Sequence, residues 1–375
     1  MKFGAMSLLQ KVLALLAIGA CLAALLSTLG MVGENQITTL SHPIAITFAL
    51  AGLLTVARFK LKFSIAFDGV MSALGIFCIM RILNSIDAAS FGFWMLLVAS
   101  WVFGWLFVER LSNVTGLNSF MSRIIGLLVP VFFGVWILVL WEAITRGANV
   151  PFVLLPPPSL VWIKITTSLS ILWADFQQTI LKAVLSGYVM GCGSAFLAAI
   201  AIDRSPFLQR GLLPVGNFVA ALPIVGMAPI MVMWFGFDWQ SKAAVIVIMT
   251  FFPMLVNTLS GLSTASTMQQ DLMRTYAAGY WQTLFKLRLP AAAPFIFNAL
   301  KINSTLALIG GIVAEFFGTP TVGMGFRIST EVGRMNIDMV WAEIAMAALA
   351  GSTFYGIIAL TERAVTFWHP SIRAG

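Results

Sequence analysis

Charged residues are scarce in this sequence. Asp, Glu, Lys and Arg make up 10% of its 375 residues, and hydrophobic residues make up 60%. A soluble globular domain carries roughly 25% charged residues, so this set of residues cannot cover a water-exposed surface. Because a membrane helix needs about 20 consecutive apolar residues, the apolar run is the natural unit for dividing this chain.

Residues that commonly bind metals or form disulfides are also few. The cysteines lie inside apolar runs without CxxC spacing, at Cys21, Cys78 and Cys192. That context is typical of small buried side chains. His42 and His369 each precede a proline, which indicates a turn and not a pair of ligands. The sequence therefore predicts neither a metal site nor a clustered catalytic constellation.

The net charge of +8 does not indicate nucleic-acid binding, because the basic residues are scattered between apolar runs and form no continuous stripe. Lys and Arg concentrate in alternate connections, which by the positive-inside rule places both termini in the cytoplasm. We expect the first run to be an uncleaved span, since it is longer than a signal-peptide core. The sequence predicts ten spans, at about 12–32, 42–57, 64–83, 91–108, 124–141, 178–202, 211–236, 243–262, 290–314 and 339–360.

Two connections are predicted to be more than turns. In the first, the prolines from Pro156 to Pro158 cannot continue a helix. Ser159 is then predicted to cap an external amphipathic helix that lies at the lipid surface.

The second, at residues 263–289, is predicted to be cytoplasmic. Ser266 followed by Gln269 predicts a capping box, and Gly279 predicts a break. Apolar residues recur every four positions, at Met268, Leu272, Tyr276, Tyr280 and Leu284. This pattern alone fits a segment lying on the membrane equally well as one docking into a groove of another protein.

Residues 271–294 read DLMRTYAAGYWQTLFKLRLPAAAP. The stretch resembles the coupling segment of permeases from binding-protein-dependent, ATP-driven importers, whose pattern is EAAxxxG followed by an I-x-LP ending. Asp271 falls at the Glu position and Ala277 at the Gly position. Leu272 and Met273 replace the two alanines, and the glycine of this chain lies at Gly279.

Two further stretches share the resemblance, LLPPPSLVW at 154–162 and IVAEFFGTPTVGMGF at 312–326. Together the motifs resemble the nitrate, sulfonate and taurine class of importer permeases, which also includes transporters of pyrimidine precursors and riboflavin. The resemblance covers the chain from about residue 124 onward and leaves the first four predicted spans outside it.

The resemblance implies an all-α polytopic membrane protein in the inner membrane of a bacterium. A six-span permease core would occupy residues 111–375, with a coupling segment at 266–289, after a four-span extension at 1–110. Two permease copies, expected to be identical, would each hold a separate ATP-binding subunit and receive solute from an external solute-binding protein. Because the sequence has no GxxxxGK[ST] loop, we expect ATP and Mg²⁺ on the partner ATPase and neither catalysis nor a cofactor in this chain.

The resemblance suggests the coupling residues and Glu315, and the prolines and polar residues inside apolar runs suggest the other candidates for a path. The expected ATPase-coupling residues are Asp271, Arg274, Tyr276, Ala277, Ala278 and Gly279. The candidates for the translocation path are Pro223, Met227, Asn257, Asn298, Asn303 and Glu315. For the prolines the alternative is simple packed kinks, for the asparagines interhelical hydrogen bonds, and for Glu315 a structural hydrogen bond.

The expected solute is small and organic, either a sulfonate- or nitrate-like anion or a pyrimidine- or riboflavin-like heterocycle. The alternative function is an ion-coupled secondary transporter, which needs ionisable residues inside the membrane. The candidates for that role lie near span ends, at Lys182, Lys301, Glu315 and Glu343.

Overall fold

A computed structural model describes residues 8–32, 35–38, 43–53, 64–113, 119–205, 207, 208, 211, 222–318 and 321–368. The chain divides into two compact units, Met1–Leu160 and Val161–Gly375. The boundary predicted at residue 110, between an extension and a permease core, is a different division and stays a prediction.

The first unit is a helical bundle centred on α4. Its helices are α1 (Leu8–Leu25), α2 (Pro43–Leu53), α3 (Ser64–Leu83), α4 (Phe91–Ser112) and α5 (Ser119–Gly147). Helix α4 packs against α1, α3 and α5. The buried indole of Trp136 in α5 donates to the Ser72 hydroxyl in α3 at 3.1 Å, and Arg110 pairs with Asp68 at 2.6 Å. These contacts join α3, α4 and α5.

A small antiparallel sheet ends the first predicted span early. Helix α1 stops at Leu25, and β1 (Thr28–Val32) pairs with β2 (Asn35–Thr38) and with β3 (Ala88–Ala89). A Cβ on Gly30 would lie 2.6 Å from the Ala88 carbonyl oxygen, so glycine allows this close strand contact. The predicted run to residue 32 was therefore too long, because strand pairing satisfies the backbone after Leu25.

A second prediction that the structure corrects concerns Ser159. Helix α6 (Pro158–Thr167) already includes this residue and begins at Pro158, a favourable first helical position for proline. The Ser159 N–H and hydroxyl both donate to the Glu142 carboxylate, at 2.9 and 2.7 Å. Glu142 thus caps the helix, and the prediction that Ser159 does so was wrong.

The second unit continues from α6 as a bundle in which α10 packs against both α8 and α13. Its elements are α7 (Leu169–Phe176), a π-helical stretch (Gln177–Val184), α8 (Leu185–Arg204), α9 (Ile224–Phe235), α10 (Trp239–Leu262), α11 (Thr267–Thr275), α12 (Tyr280–Thr283), a second π-helical stretch (Leu284–Arg288), α13 (Leu289–Glu315), α14 (Met324–Gly333) and α15 (Ile337–Val365).

Small residues bring the central helices of this unit together. A Cβ on Gly187 in α8 would lie 2.7 Å from Cβ of Ile246 in α10. Ala299 and Ala307 of α13 are fully buried. Such close backbone approach is the usual way in which helices associate where lipid removes the hydrophobic driving force.

Eight helical segments among the described residues are long and apolar enough to cross a membrane. They correspond to α1, α3, α4, α5, α7 to α8, α10, α12 to α13, and α15. The predicted spans at 42–57 and 211–236 lie partly outside the described residues, and their described parts are the 11-residue α2 and the 12-residue α9. An all-α polytopic architecture is confirmed, while the count of ten spans stays a prediction.

Candidate functional site

Helix α11 opens the segment predicted to couple to an ATPase. The predicted capping box is present: the Gln269 N–H donates to Ser266 Oγ at 3.3 Å, and the Ser266 N–H donates to Gln269 Oε1 at 3.1 Å. All nine residues of α11 are at least partly exposed. A helix this short is marginal by itself, so its capping matters for its stability.

An apolar stripe runs along the exposed side of α11. Met268 is 81% exposed, Leu272 57% and Tyr276, at the end of the helix, 78%. These residues are spaced four apart and therefore share one face. Asp271 and Arg274 form an ion pair at 3.2 Å with both side chains mostly exposed, an arrangement that contributes less than about 1 kcal/mol. The helix thus presents an apolar surface that its own chain does not cover.

The turn after α11 is a Schellman motif centred on Ala277. The Ala277 N–H donates to the Arg274 carbonyl at 2.9 Å, and the Ala278 N–H donates to the Met273 carbonyl at 3.0 Å. Ala277 has φ +53°, the left-handed conformation that glycine adopts most easily. The residue aligned with the glycine of the permease pattern therefore occupies the position that requires left-handed backbone.

Gly279 plays a different part from the one its sequence position suggested. It has extended backbone, with φ −69° and ψ 170°, and precedes α12 as its N-cap. Its N–H donates to Gln282 Oε1 at 3.2 Å. The predicted helix, bend and second helix are present, but the reversal of direction occurs at Ala277.

The apolar periodicity does not continue beyond this turn. Tyr280 is half-buried, and Leu284 is fully buried in a cluster with Leu262 and Ala292. These side chains therefore pack into the chain itself. The exposed stripe is limited to the α11 side of the turn.

Asp203, at the end of α8, holds this second half of the segment. Its carboxylate accepts from Arg288 Nη1 and Nη2 at 2.7 and 2.6 Å and from the Tyr280 hydroxyl at 2.9 Å. This role was not predicted from the sequence. The available signal was an acidic residue in the last turn of an apolar span, beside Arg204.

A second polar cluster surrounds Glu315 at the other end of α13. Its carboxylate is buried and accepts from the Thr179 hydroxyl at 2.8 Å and from the Gly325 N–H at 2.7 Å. The Thr179 oxygen in turn accepts from the Met324 N–H at 2.8 Å. Gly323 has φ +143°, and a Cβ there would lie 2.8 Å from the Glu315 carboxyl. The glycines of this motif thus let the backbone close around Glu315.

Asp175 fixes the same loop from α7. It accepts from the Gly323 N–H at 2.6 Å and from Arg327 Nε at 2.8 Å. The hydrogen bond to Asp175 raises the pKa of the Arg327 guanidinium above its ordinary value. This pair was also missed, because the sequence shows Asp175 and Arg327 only as separate charges at predicted span ends.

Glu343 of α15 lies beside this cluster. Its side chain is fully buried and faces Asp175, Arg327 and Glu315. Within the part of the chain that the structure describes, no N–H group donates to either of its carboxyl oxygens, and the side chain that it meets at hydrogen-bond distance is the carboxyl of Asp175. A buried carboxyl that faces another acid and receives no N–H donor is poorly stabilised, so Glu343 lowers the stability of the fold.

The remaining path candidates are dispersed over the second unit. Pro223 is exposed and precedes α9, and Met227 is half-buried against a cluster that includes Ala314. Asn257 donates to the Pro253 carbonyl of its own helix at 2.8 Å, and Asn298 is exposed on α13. These four residues lie on or beside three different helices, and their place in the path stays a prediction.

Asn303 serves as an interhelical link. It is fully buried and donates to the Thr250 carbonyl of α10 at 2.8 Å and to Cys192 Sγ of α8 at 3.2 Å. These bonds connect α8, α10 and α13. For Asn303 the geometry favours the packing alternative over a contact with solute.

Several apolar helices of membrane-spanning length, with a capped, exposed helix between two of them, define a polytopic membrane protein. Residues 187–373 match the family model described as "Binding-protein-dependent transport system inner membrane component". The riboflavin transport system permease protein of Chloroflexus aurantiacus is 30% identical over 267 residues, which cover 70% of this chain and 98% of that protein.

Two other relatives are also named as transport permeases. The formylaminopyrimidine transport permease protein of Halalkalibacterium halodurans is 28% identical, covering 66% of this chain and 98% of that protein. The taurine transport system permease protein of Escherichia coli is 25% identical, covering 63% and 88%. The chain therefore belongs to the family of inner membrane components of binding-protein-dependent transport systems. It is an ABC importer permease, a multi-pass inner membrane protein and a transport subunit.

Proposed function

We propose that a separate ATP-binding subunit docks on the coupling face of this permease, formed by Met268, Leu272, Tyr276 and the turn from Ala277 to Gly279. The exposed apolar stripe of α11 supports this proposal, because every side chain of that helix is left at least partly uncovered by its own chain. An amphipathic helix commonly places such a stripe into a groove of its partner. Asp271 and Arg274 then orient the contact from its rim.

Membership of the family supports the remaining parts of the proposed importer. ATP and Mg²⁺ bind to the ATPase, which supplies the hydrolysis, and this chain carries no cofactor. A second copy of the permease lies beside the first, and an external solute-binding protein delivers the solute. The chain crosses the membrane ten times and keeps both termini in the cytoplasm, in agreement with the distribution of Lys and Arg.

The transported solute is a small organic molecule. Relatives are named for transport of riboflavin, formylaminopyrimidine and taurine, so an aromatic heterocycle and a sulfonate-like anion are the two candidate classes. The path runs along α9, α10 and α13, where Met227, Asn257 and Asn298 lie. Glu315 supports the wall of this path by fixing the loop to α14, and its hydrogen bonds with Thr179 and Gly325 support this role.

The first four predicted spans, within residues 1–110, form an extension outside the path. Alignment with the riboflavin permease covers 98% of that protein but 70% of this chain. This difference supports a family core that is complete without the extension. The extension then serves assembly or stability.

The docking proposal is tested by copurification of the coexpressed ATPase. Leu272→Lys should abolish copurification, since it places a charge in the stripe. Val332→Lys is the matched control, because Val332 is 49% exposed on α14 and Leu272 is 57% exposed. Equal recovery of the ATPase with both variants would show that the coupling face lies elsewhere.

A further inference from the structure

Three segments of the second unit meet at Arg288. Its Nη atoms bind both oxygens of Asp203 at the end of α8, at 2.6 and 2.7 Å. Its Nε donates to the carbonyl of Leu262, the last residue of α10, at 3.1 Å. Arg288 itself directly precedes α13. One planar guanidinium therefore joins the ends of two helices to the start of a third.

Tyr280 adds the second half of the coupling segment to this junction. Its hydroxyl donates to Asp203 Oδ2 at 2.9 Å, and the Arg204 guanidinium lies 5.5 Å from the centre of its ring. Apolar contacts of Leu284 with Leu262 and Ala292 reinforce the same region. The segment from Tyr280 to Arg288 is thus anchored to α8 and α10, whereas α11 remains exposed.

The contact between Asp203 and Arg288 is suited to transmit movement of the coupling segment. The Asp203 and Arg288 side chains are only 11% and 18% exposed, so water competes little with their contact. A bidentate arginine–carboxylate pair fixes direction as well as distance. The exposed pair of Asp271 and Arg274 has neither property, since both side chains are largely in solvent.

We propose that Asp203 is a positioning residue which, through Arg288 and Tyr280, transmits displacement of the coupling face to the ends of α8 and α10. The inference rests on the proposed docking of an ATPase. It adds that docking and transmission depend on different residues. Substitution of Asp203 should therefore abolish transmission and leave docking intact.

Hydrogen exchange on the assembled complex tests this separation. The full chain is purified with its coexpressed ATPase, and exchange is compared between the nucleotide-free state and the state trapped with ATP and vanadate. In the unsubstituted protein the ATPase should protect residues 267–279, and trapping should change exchange at the ends of α8 and α10. Asp203→Asn should keep the protection at 267–279 and lose the change at both helix ends.

Glu362→Gln is the matched control. It breaks the ion pair of Glu362 with Lys301, which has a 2.7 Å distance and side-chain exposures of 16% and 19%, and which lies outside the coupling segment. This variant should retain both the protection and the transmitted change. If Asp203→Asn lowers the melting temperature more than the control does, Arg288→Lys replaces it, because lysine keeps the charge but cannot form the bidentate contact.

The outcomes separate the two proposals. Absence of protection at 267–279 in the unsubstituted protein would contradict the proposed docking. Protection without any change at the ends of α8 and α10 would overturn the inference alone. Transmission that survives in Asp203→Asn or Arg288→Lys, or that is lost equally in Glu362→Gln, would also overturn it.

Discussion

Thr179 and Glu315 lie 136 residues apart in the sequence, yet the threonine hydroxyl donates to the glutamate carboxylate at 2.8 Å. The contact joins the first π-helical stretch to the end of α13. Because Thr179 also accepts from the Met324 N–H, it connects the carboxylate to the loop that leads into α14. A π-helical stretch often marks a functional position, and here it places Thr179 within this network.

Replacing Thr179 tests the value of the network. Thr179→Val keeps the shape but removes the hydroxyl that donates to the Glu315 carboxylate and leaves the Met324 N–H without the oxygen that accepts from it. We expect a loss of about 2 to 4 kcal/mol in the free energy of unfolding, measured as a lower melting temperature in detergent. Thr179→Ser keeps the hydroxyl and should remain close to the unsubstituted protein. Equal melting temperatures for the two variants would contradict the assigned role.

The left-handed turn at Ala277 gives a prediction of increased stability. Ala277→Gly should stabilise the turn by about 1 kcal/mol, because glycine adopts the αL conformation without the Cβ penalty. Hydrogen exchange at residues 267–279 of the purified chain should become slower. Ala278→Gly is the control, since Ala278 does not have positive φ, and exchange there should become faster. If both variants changed exchange in the same direction, the assignment of the turn to Ala277 would be incorrect.

Glu343 offers a stabilising substitution. Glu343→Gln replaces a buried carboxyl that receives no N–H donor by an amide that can donate to the neighbouring Asp175 carboxylate, so we expect a gain of about 1 to 3 kcal/mol. Glu331→Gln is the comparison, because the Glu331 carboxylate already accepts from Arg334 and Asn336 at 3.2 and 2.7 Å. The melting temperature should rise for the first variant and fall for the second. A fall in both would show that the Glu343 carboxyl stabilises the fold as it stands.

Asp238 is expected to contribute to the stability of the fold in a way that is lost in acid. Hydrogen bonds from the Gln178 amide and the Trp239 N–H hold the pKa of Asp238 below its ordinary value. Because the folded-state pKa is the lower one, the stabilisation is complete above the ordinary pKa of about 4 and is lost as pH falls through the folded value. Asp238→Asn keeps a capping side chain but cannot titrate there.

The measurement for Asp238 is the melting temperature as a function of pH. The unsubstituted protein should lose more stability than Asp238→Asn as the pH falls below about 4. Parallel curves over this window would show that the hydrogen bonds to Asp238 do not contribute to folding. Above about pH 5 the two curves should run in parallel, since Asp238 stays ionised in both folded and unfolded chains.

Local pattern was enough to predict much of the fold. Apolar runs predicted most of the membrane-spanning helices, because the length of such a run is set by the thickness of the bilayer. The capping box at Ser266 and Gln269 and the bend before Tyr280 were also predictable, since residues a few positions apart interact within one turn. The three motifs were sufficient to indicate the permease family that the comparisons then showed.

Only the tertiary structure decided how the polar residues combine. Asp203 and Arg288 lie 85 residues apart, and the periodicity of either segment contains no information about the other. The same reason explains why β1 replaced the end of the first predicted span and why Glu142, not Ser159, caps α6. The sequence by itself determined which segments are helical and apolar, because those preferences are local. Their packing decided which buried donor meets which acceptor, because that depends on atoms brought together only by folding.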